Sequence, residues 1–215
     1  MPFNGVDTLV LYAPVRVVDM SEPLAHENRQ AELAHCGNDG VRREKYLVWK
    51  LLGYAVKECF NLDYANVRFT KTENGQWICP DFHFSLSHTD GAVCVAVSRD
   101  PVGVDIEKIR PVREGLYARM LTEREREYIS DLPECERADF FLAAWVKKES
   151  LFKRGGGRSL MPTLTETVGS DACVHRVNIG GAEYLIGLAH NNDEKYEIRY
   201  TEAICRPYLL TENGQ

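Results

Sequence analysis

Apolar and polar residues change period several times along this 215-residue chain, and the changes mark its elements. From Val6 to Val18 they alternate in segments, which predicts a strand ended at or soon after Pro14. Glu22 to His35, announced by Ser21 and Glu22-Pro23, predicts a helix. A stronger helical pattern runs from Val41 to Phe60, where Tyr46, Trp49, Leu52, Val56 and Phe60 recur on one face until Asn61-Leu62-Asp63 ends it. The period then drops to two. Short strands are expected at Val67 to Lys71, around Trp77, and at Phe82 to Ser87, Ala92 to Ser98 and Val102 to Ile109, with Asn74-Gly75 and Asp90-Gly91 as turns. Thr122-Glu123-Arg124-Glu125 reads as a capped helix start, Glu134 to Lys153 as a long helix, and strands return at Tyr184 to Ala189 and Tyr196 to Ala203. Each half runs through helices and then short strands, which places the chain in the α+β class.

With 44% apolar residues the chain can bury a sizeable core, as one large domain or as two lobes. Arg99-Asp100-Pro101 is the best boundary, giving lobes 1–101 and 102–215. The formal net charge of -6 argues against a general affinity for nucleic acid or anionic membrane. The amino terminus shows no basic region followed by an apolar run, and no apolar stretch is long enough to span a bilayer, so a cytoplasmic protein is expected. The cysteines (36, 59, 79, 94, 135, 173 and 205) are odd in number and form no Cys-x-x-Cys, unlike a disulfide framework or a zinc site.

Candidate chemistry lies in two stretches. In Gly103-Val104-Asp105-Ile106-Glu107 the two acids project from one face of a strand. Carboxylates that close repel unless water, a cation or a basic side chain stands between them, and a hard divalent ion is one solution. A wet acidic strand face is the plain alternative. In Trp145-Val146-Lys147-Lys148-Glu149-Ser150-Leu151-Phe152-Lys153 a helix puts Glu149 and Lys153 one turn apart, a spacing that ordinary surface pairs share. Gly155-Gly156-Gly157-Arg158-Ser159 follows, so Lys153, Arg154 and Arg158 gather near the helix end, to meet phosphate or to complement the helix dipole.

Taken together, Gly-x-Asp-x-Glu, Trp-x-x-Lys-Glu-x-x-x-Lys and the upstream Phe84-Ser85-Leu86-Ser87-His88 resemble the three motifs of the 4'-phosphopantetheinyl transferases. In length and motif spacing the chain is similar to the two-lobed, monomeric Sfp-type branch, over a span from roughly Arg42 to the last strands. The resemblance implies two similar α+β lobes packed as a pseudo-dimer with the active site in the cleft between them. It implies transfer of the phosphopantetheine arm of coenzyme A to a serine of an apo acyl or peptidyl carrier protein, with release of adenosine 3',5'-bisphosphate. Asp105, Glu107 and Glu149 correspond to the family's Mg²⁺ ligands, and Lys153 to the lysine that touches the pyrophosphate. Glu149 is the implied acceptor of the serine proton. Ser87 and His88 match a pair that contacts the coenzyme's phosphates, Lys148 either serves the phosphates or flanks them, and Arg42 or Arg43 matches an arginine for the 3'-phosphate.

Two departures stand out. Gly75-Gln76-Trp77 replaces a common Gly-Lys-Pro, which removes a positive charge, so that either coenzyme affinity is lower or Lys71 substitutes, and Thr89 stands where serine is usual. The family's carrier partner presents an acidic helix, and Tyr117-Ala118-Arg119-Met120-Leu121 through Arg124 and Arg126 either meets it or is a core edge at Met120 and Leu121 with a solvated arginine face. Two other readings compete: a non-catalytic coenzyme- or nucleotide-binding module that keeps the fold, and a different Mg²⁺-dependent phosphoryl or nucleotidyl transferase.

Overall fold

A computed structural model describes residues 5–16, 20–73, 75–156, 167–191 and 193–202. Val17 and Val18 of the first expected strand, Asn74 of the first expected turn, Gly157-Arg158-Ser159 of the basic loop, Ala203 and Cys205 lie outside the described residues. The chain folds in the order β1 (Thr8–Pro14), α1 (Glu27–Ala34), α2 (Asp39–Phe60), a 3₁₀ turn (Tyr64–Asn66), β2 (Thr70–Lys71), β3 (Trp77–Ile78), β4 (His83–Thr89), β5 (Ala92–Ser98) and β6 (Gly103–Lys108). It continues through α3 (Gly115–Met120), α4 (Glu123–Ser130), α5 (Glu134–Arg154), β7 (Cys173–Ile179), β8 (Ala182–Ala189) and β9 (Tyr196–Tyr200). The α+β class is confirmed. No described helix is long and apolar enough to cross a membrane.

The described strands form a sheet of order β4-β5-β1-β9, a sheet of order β6-β8-β7 and the small ribbon β2-β3. The period-two patterns explain how the two larger sheets are stacked. On β5 every residue is buried. Val93, Val95 and Val97 pack with α2, and Ala92, Cys94 and Ala96 pack on the opposite face with Val104, Ile106, Ile186 and Leu188 of the other sheet. Beyond that second sheet, Phe141, Leu142, Ala144 and Val146 of α5 pack with Leu185. The layers therefore run α2, first sheet, second sheet, α5, and the odd-numbered acids of β6 are left on the face opposite Val104 and Ile106.

Local signals set most boundaries. Asn38 caps α2 by accepting from the Val41 amide, and Asn61 ends the helix in the left-handed conformation (φ 52°) that asparagine tolerates. The Asp90-Gly91 turn joins β4 and β5, with Gly91 at φ 87°. At α4 the Thr122 and Glu125 side chains form the reciprocal capping box. Three expectations are corrected. The first helix begins at Glu27 rather than Glu22, because Glu22 accepts from the Tyr46 hydroxyl and Leu24 donates to Gln30. Val67 and Phe69 are buried in the aromatic core around Trp49, and only Thr70 and Lys71 of that stretch pair as strand. Strand β7 is not predicted by the pattern, since His175, Arg176 and Asn178 hide its alternation.

Two glycines bring α5 unusually close to the second sheet. A Cβ on Gly103 would lie 1.9 Å from the Ser150 carbonyl oxygen, and one on Gly187 would lie 2.3 Å from that of Val146. Backbone meets backbone there, so no side chain can rotate away. Gly103→Ala is expected to destabilise the protein by about 3 kcal/mol, at the upper end for overpacking, whereas Gly115→Ala, with open space around it, should be near neutral. Urea midpoints at constant m-value check both.

Candidate active site

Beside the glycine contacts, β4, β6 and α5 converge on a cleft of about 420 Å³ lined by Leu86, Ser87, His88, Asp105, Glu107, Trp145, Glu149 and Lys153. Strand β6 is the edge of its sheet, and its outward amides must find acceptors. Ser85 and Ser87 of β4 supply them: the Val104 amide donates to Ser85 Oγ (3.0 Å) and the Ile106 amide to Ser87 Oγ (3.3 Å). Leu86, between them, turns to the α2 side.

Asp105 is the centre of the cleft. Its side chain is only 7% exposed. Oδ1 accepts from Ser87 Oγ (2.7 Å) and from Lys153 Nζ (2.7 Å), while Nζ also donates to the Val104 carbonyl (3.2 Å). Oδ2 is buried without a hydrogen-bond partner. Glu107 and Glu149 are half-buried nearby. Burial, and then repulsion from Asp105, pushes both carboxyls above the usual range. For Glu107 this is opposed by Arg110 and by hydrogen bonds from Thr89 and Trp145, and for Glu149 by Lys153. Among the described residues no three His, Cys, Asp or Glu side chains are already gathered as a metal cage. The donor set nevertheless suits a hard cation: an orphaned buried carboxylate oxygen and two glutamates raised by burial and by repulsion from Asp105, with room for ligand oxygens to complete the shell.

His88 stands in the cleft wall, its Nδ1 2.8 Å from Glu44 Oε2 on α2. Burial lowers its pKa, against the raising effect of Glu44. The other expected residues are elsewhere. Lys148 is entirely buried away from the cleft and pairs with Glu125 of α4 (2.8 Å), which is equally buried. Burial alone would raise the Glu125 carboxyl. Hydrogen bonds from Lys148, Thr167 and the Thr122 amide outweigh it and hold the group below the usual range. The reading of Lys148 as a phosphate ligand is therefore corrected: one helix step of about 100° separates it from Glu149 and turns its ammonium into the interior. Arg42 pairs with Asp39 on the exposed start of α2 (2.5 Å), and the Nε of Arg43 is buried without a partner. Neither lines the cleft. Lys71 is paired with Glu32 and lies over the Trp77 ring, and Gln76 donates to the Lys153 carbonyl (3.2 Å), so the residue that replaces a lysine ties the β2-β3 ribbon to the end of α5. On the expected partner surface, Leu121 is core, Tyr117 and Met120 are half-buried, and Arg119, Arg124 and Arg126 are exposed, Arg126 donating to the Leu121 carbonyl.

Sequence reasoning missed Glu44, Glu125 and Gly187. Glu125 was visible only as a capping residue, and nothing near Glu44 or Gly187 in the sequence signals a contact with a distant element.

Residues 101–199, which include Asp105, Glu107, Glu149 and Lys153, match the profile of the 4'-phosphopantetheinyl transferase superfamily. The chain is 33% identical over 115 residues to the 4'-phosphopantetheinyl transferase ffp of Bacillus subtilis, 52% of this chain and 51% of that protein. Identity to the 4'-phosphopantetheinyl transferase Sfp of Bacillus subtilis strain 168 is 30% over the same coverage. A further Bacillus subtilis 4'-phosphopantetheinyl transferase is 28% identical over 160 residues, 72% of this chain and 70% of that protein. The chain thus spans about half the length of the first two relatives it matches. The superfamily match falls on the second sheet and α5, the elements that carry the carboxylates and Lys153.

A carboxyl whose pKa is higher folded than unfolded opposes folding when ionised. That penalty is absent below the unfolded pKa, grows as pH rises, and is complete above the folded one. Without divalent cation, Glu149→Gln should therefore raise the urea midpoint at pH 7, and the gain should vanish near pH 4, about the unfolded value. Lys148→Ala strands the Glu125 carboxylate and should cost about 3–5 kcal/mol at neutral pH by the same measurement.

Proposed function

We propose that this protein transfers the 4'-phosphopantetheine arm of coenzyme A to a serine of an apo acyl or peptidyl carrier protein, using Mg²⁺ and releasing adenosine 3',5'-bisphosphate. The observation that carries the reading is Asp105: a buried carboxylate with one oxygen shared by Ser87 and Lys153 and the other unpartnered, between two glutamates of raised pKa. The superfamily match over residues 101–199 and the relatives' names support it.

In this reading Asp105, Glu107 and Glu149 would hold Mg²⁺, which when bound would neutralise charge on the diphosphate. Lys153 supplies a point charge to the same diphosphate, with Asp105 and the Val104 carbonyl fixing where its ammonium sits. Ser87 and His88 form the opposite wall and meet the coenzyme's phosphates. Glu149 takes the proton of the carrier serine. The serine Oγ bonds to the β-phosphorus, and the bridging P–O bond to the nucleotide breaks. The gain comes from alignment and charge, since the enzyme forms no bond to the substrate. The lobes 1–101 and 102–215 act as a monomer in the cytoplasm, on carriers of fatty-acid, polyketide or non-ribosomal peptide synthesis, and Arg119 and Arg124 face the carrier's acidic helix.

Intact mass of an apo carrier protein, incubated with this protein, coenzyme A and Mg²⁺, tests the reading. Addition of one phosphopantetheine group is expected, slowed about 100- to 1,000-fold by Lys153→Ala. No addition to any of several carrier types, together with no thermal stabilisation by coenzyme A, would sink it.

A further inference from the structure

Glu44 lies on α2, outside the three motifs, yet its carboxylate reaches the cleft wall. Its Oε2 is 2.8 Å from His88 Nδ1, with the two side chains 14% and 30% exposed. A carboxylate beside a site that takes polyphosphate opposes the ligand if charge alone decides. The contact with His88 gives it another effect. A carboxylate on one ring nitrogen fixes the proton there, holds the ring's orientation and leaves the other nitrogen for the ligand.

We infer that Glu44 is a positioning residue: it holds the His88 imidazole with Nε2 available to a phosphate group and supports the charged form of the ring once that phosphate arrives. The inference rests on the coenzyme A reading above. The groups acting on His88 come from three elements. Glu44 and Lys45 belong to α2 and Lys153 to α5, and the carboxylates of Asp105, Glu107 and Glu149 line the same cleft. Glu44 is the one that raises the proton affinity of the ring, against burial and both lysines. Without it, burial and both lysines would disfavour the charged ring unopposed, and no carboxylate would fix its orientation toward an anion.

Calorimetric titration of coenzyme A into wild type, Glu44→Ala, Glu44→Gln, His88→Ala and the Glu44→Ala/His88→Ala double variant separates alignment from repulsion. Loss of a hydrogen bond to a charged group should weaken binding about tenfold in Glu44→Ala. Glu44→Gln, which keeps an acceptor oxygen of the same reach, should lose less. In the His88→Ala background Glu44→Ala should add nothing, which a general structural role would not reproduce. The ¹⁵N shifts of the His88 ring should report the Nδ1–H form in wild type and a different tautomer balance in Glu44→Ala. Tighter binding by Glu44→Ala, or an undiminished loss in the His88→Ala background, would overturn the positioning role alone. Absence of coenzyme A binding by the wild type would overturn both it and the transfer reading.

Discussion

Two hydroxyl groups link the two sheets at the cleft. Ser85 and Ser87 accept the outward amides of Val104 and Ile106, so the open edge of one sheet is satisfied by side chains of the other rather than by a ladder. An apolar residue at either place would leave a buried amide unpaired, at a cost of about 1–3 kcal/mol. The hydroxyl of Ser87 also donates to Asp105. The joint between the sheets and the central carboxylate of the cleft are thus one hydrogen-bonded unit, and the position of every acid is referred to that joint.

From the other side the acids are referred to α5. Gly103 and Gly187 let the helix backbone touch β6 and β8, which carries Glu149 and Lys153 close to Asp105. The motif glycine is a distance requirement rather than a flexible point. Two lysines of α5 illustrate opposite uses of the same side chain. Lys148 is sealed with Glu125, Thr122 and Thr167 into a closed network, whereas Lys153 shares a carboxylate that keeps one oxygen unpartnered. A satisfied buried pair fixes geometry, and an incompletely satisfied one remains able to respond to a ligand.

The long helices, the Asp90-Gly91 turn, the Asp105/Glu107 pair and the Glu149/Lys153 pair were legible in the sequence, because each depends on spacing within one element; the α+β class followed from the order of elements, and the joining of the two pairs from the family resemblance alone. Trp49 and Val56 declare a buried helix face, and alternation along Gly103 to Glu107 declares a strand with acids on one side. What depended on which element lies next to which was not legible. Lys148 has the same local context as a ligand lysine until Glu125 is brought against it, and Glu44 looks like any charged residue in a helix start until β4 passes beside α2. Strand β7 escaped because an edge position lets it carry polar residues that a buried strand would exclude. The exchange of a lysine for Gln76 reads as a lost charge in the sequence and as a gained tether in the fold.

The parallel pairing of β9 with β1 has a consequence for assembly. Thr8 to Tyr12 lie against Tyr196 to Tyr200, so the first described strand waits for the last described one before both its edges are covered. During that interval one edge of an apolar strand is open to any other extended chain. Contacts of such long sequence separation form slowly, and they expose the nascent protein to mispairing. The first sheet is therefore finished only after the second has been synthesised, and the order of synthesis makes the two halves interdependent before any ligand has bound.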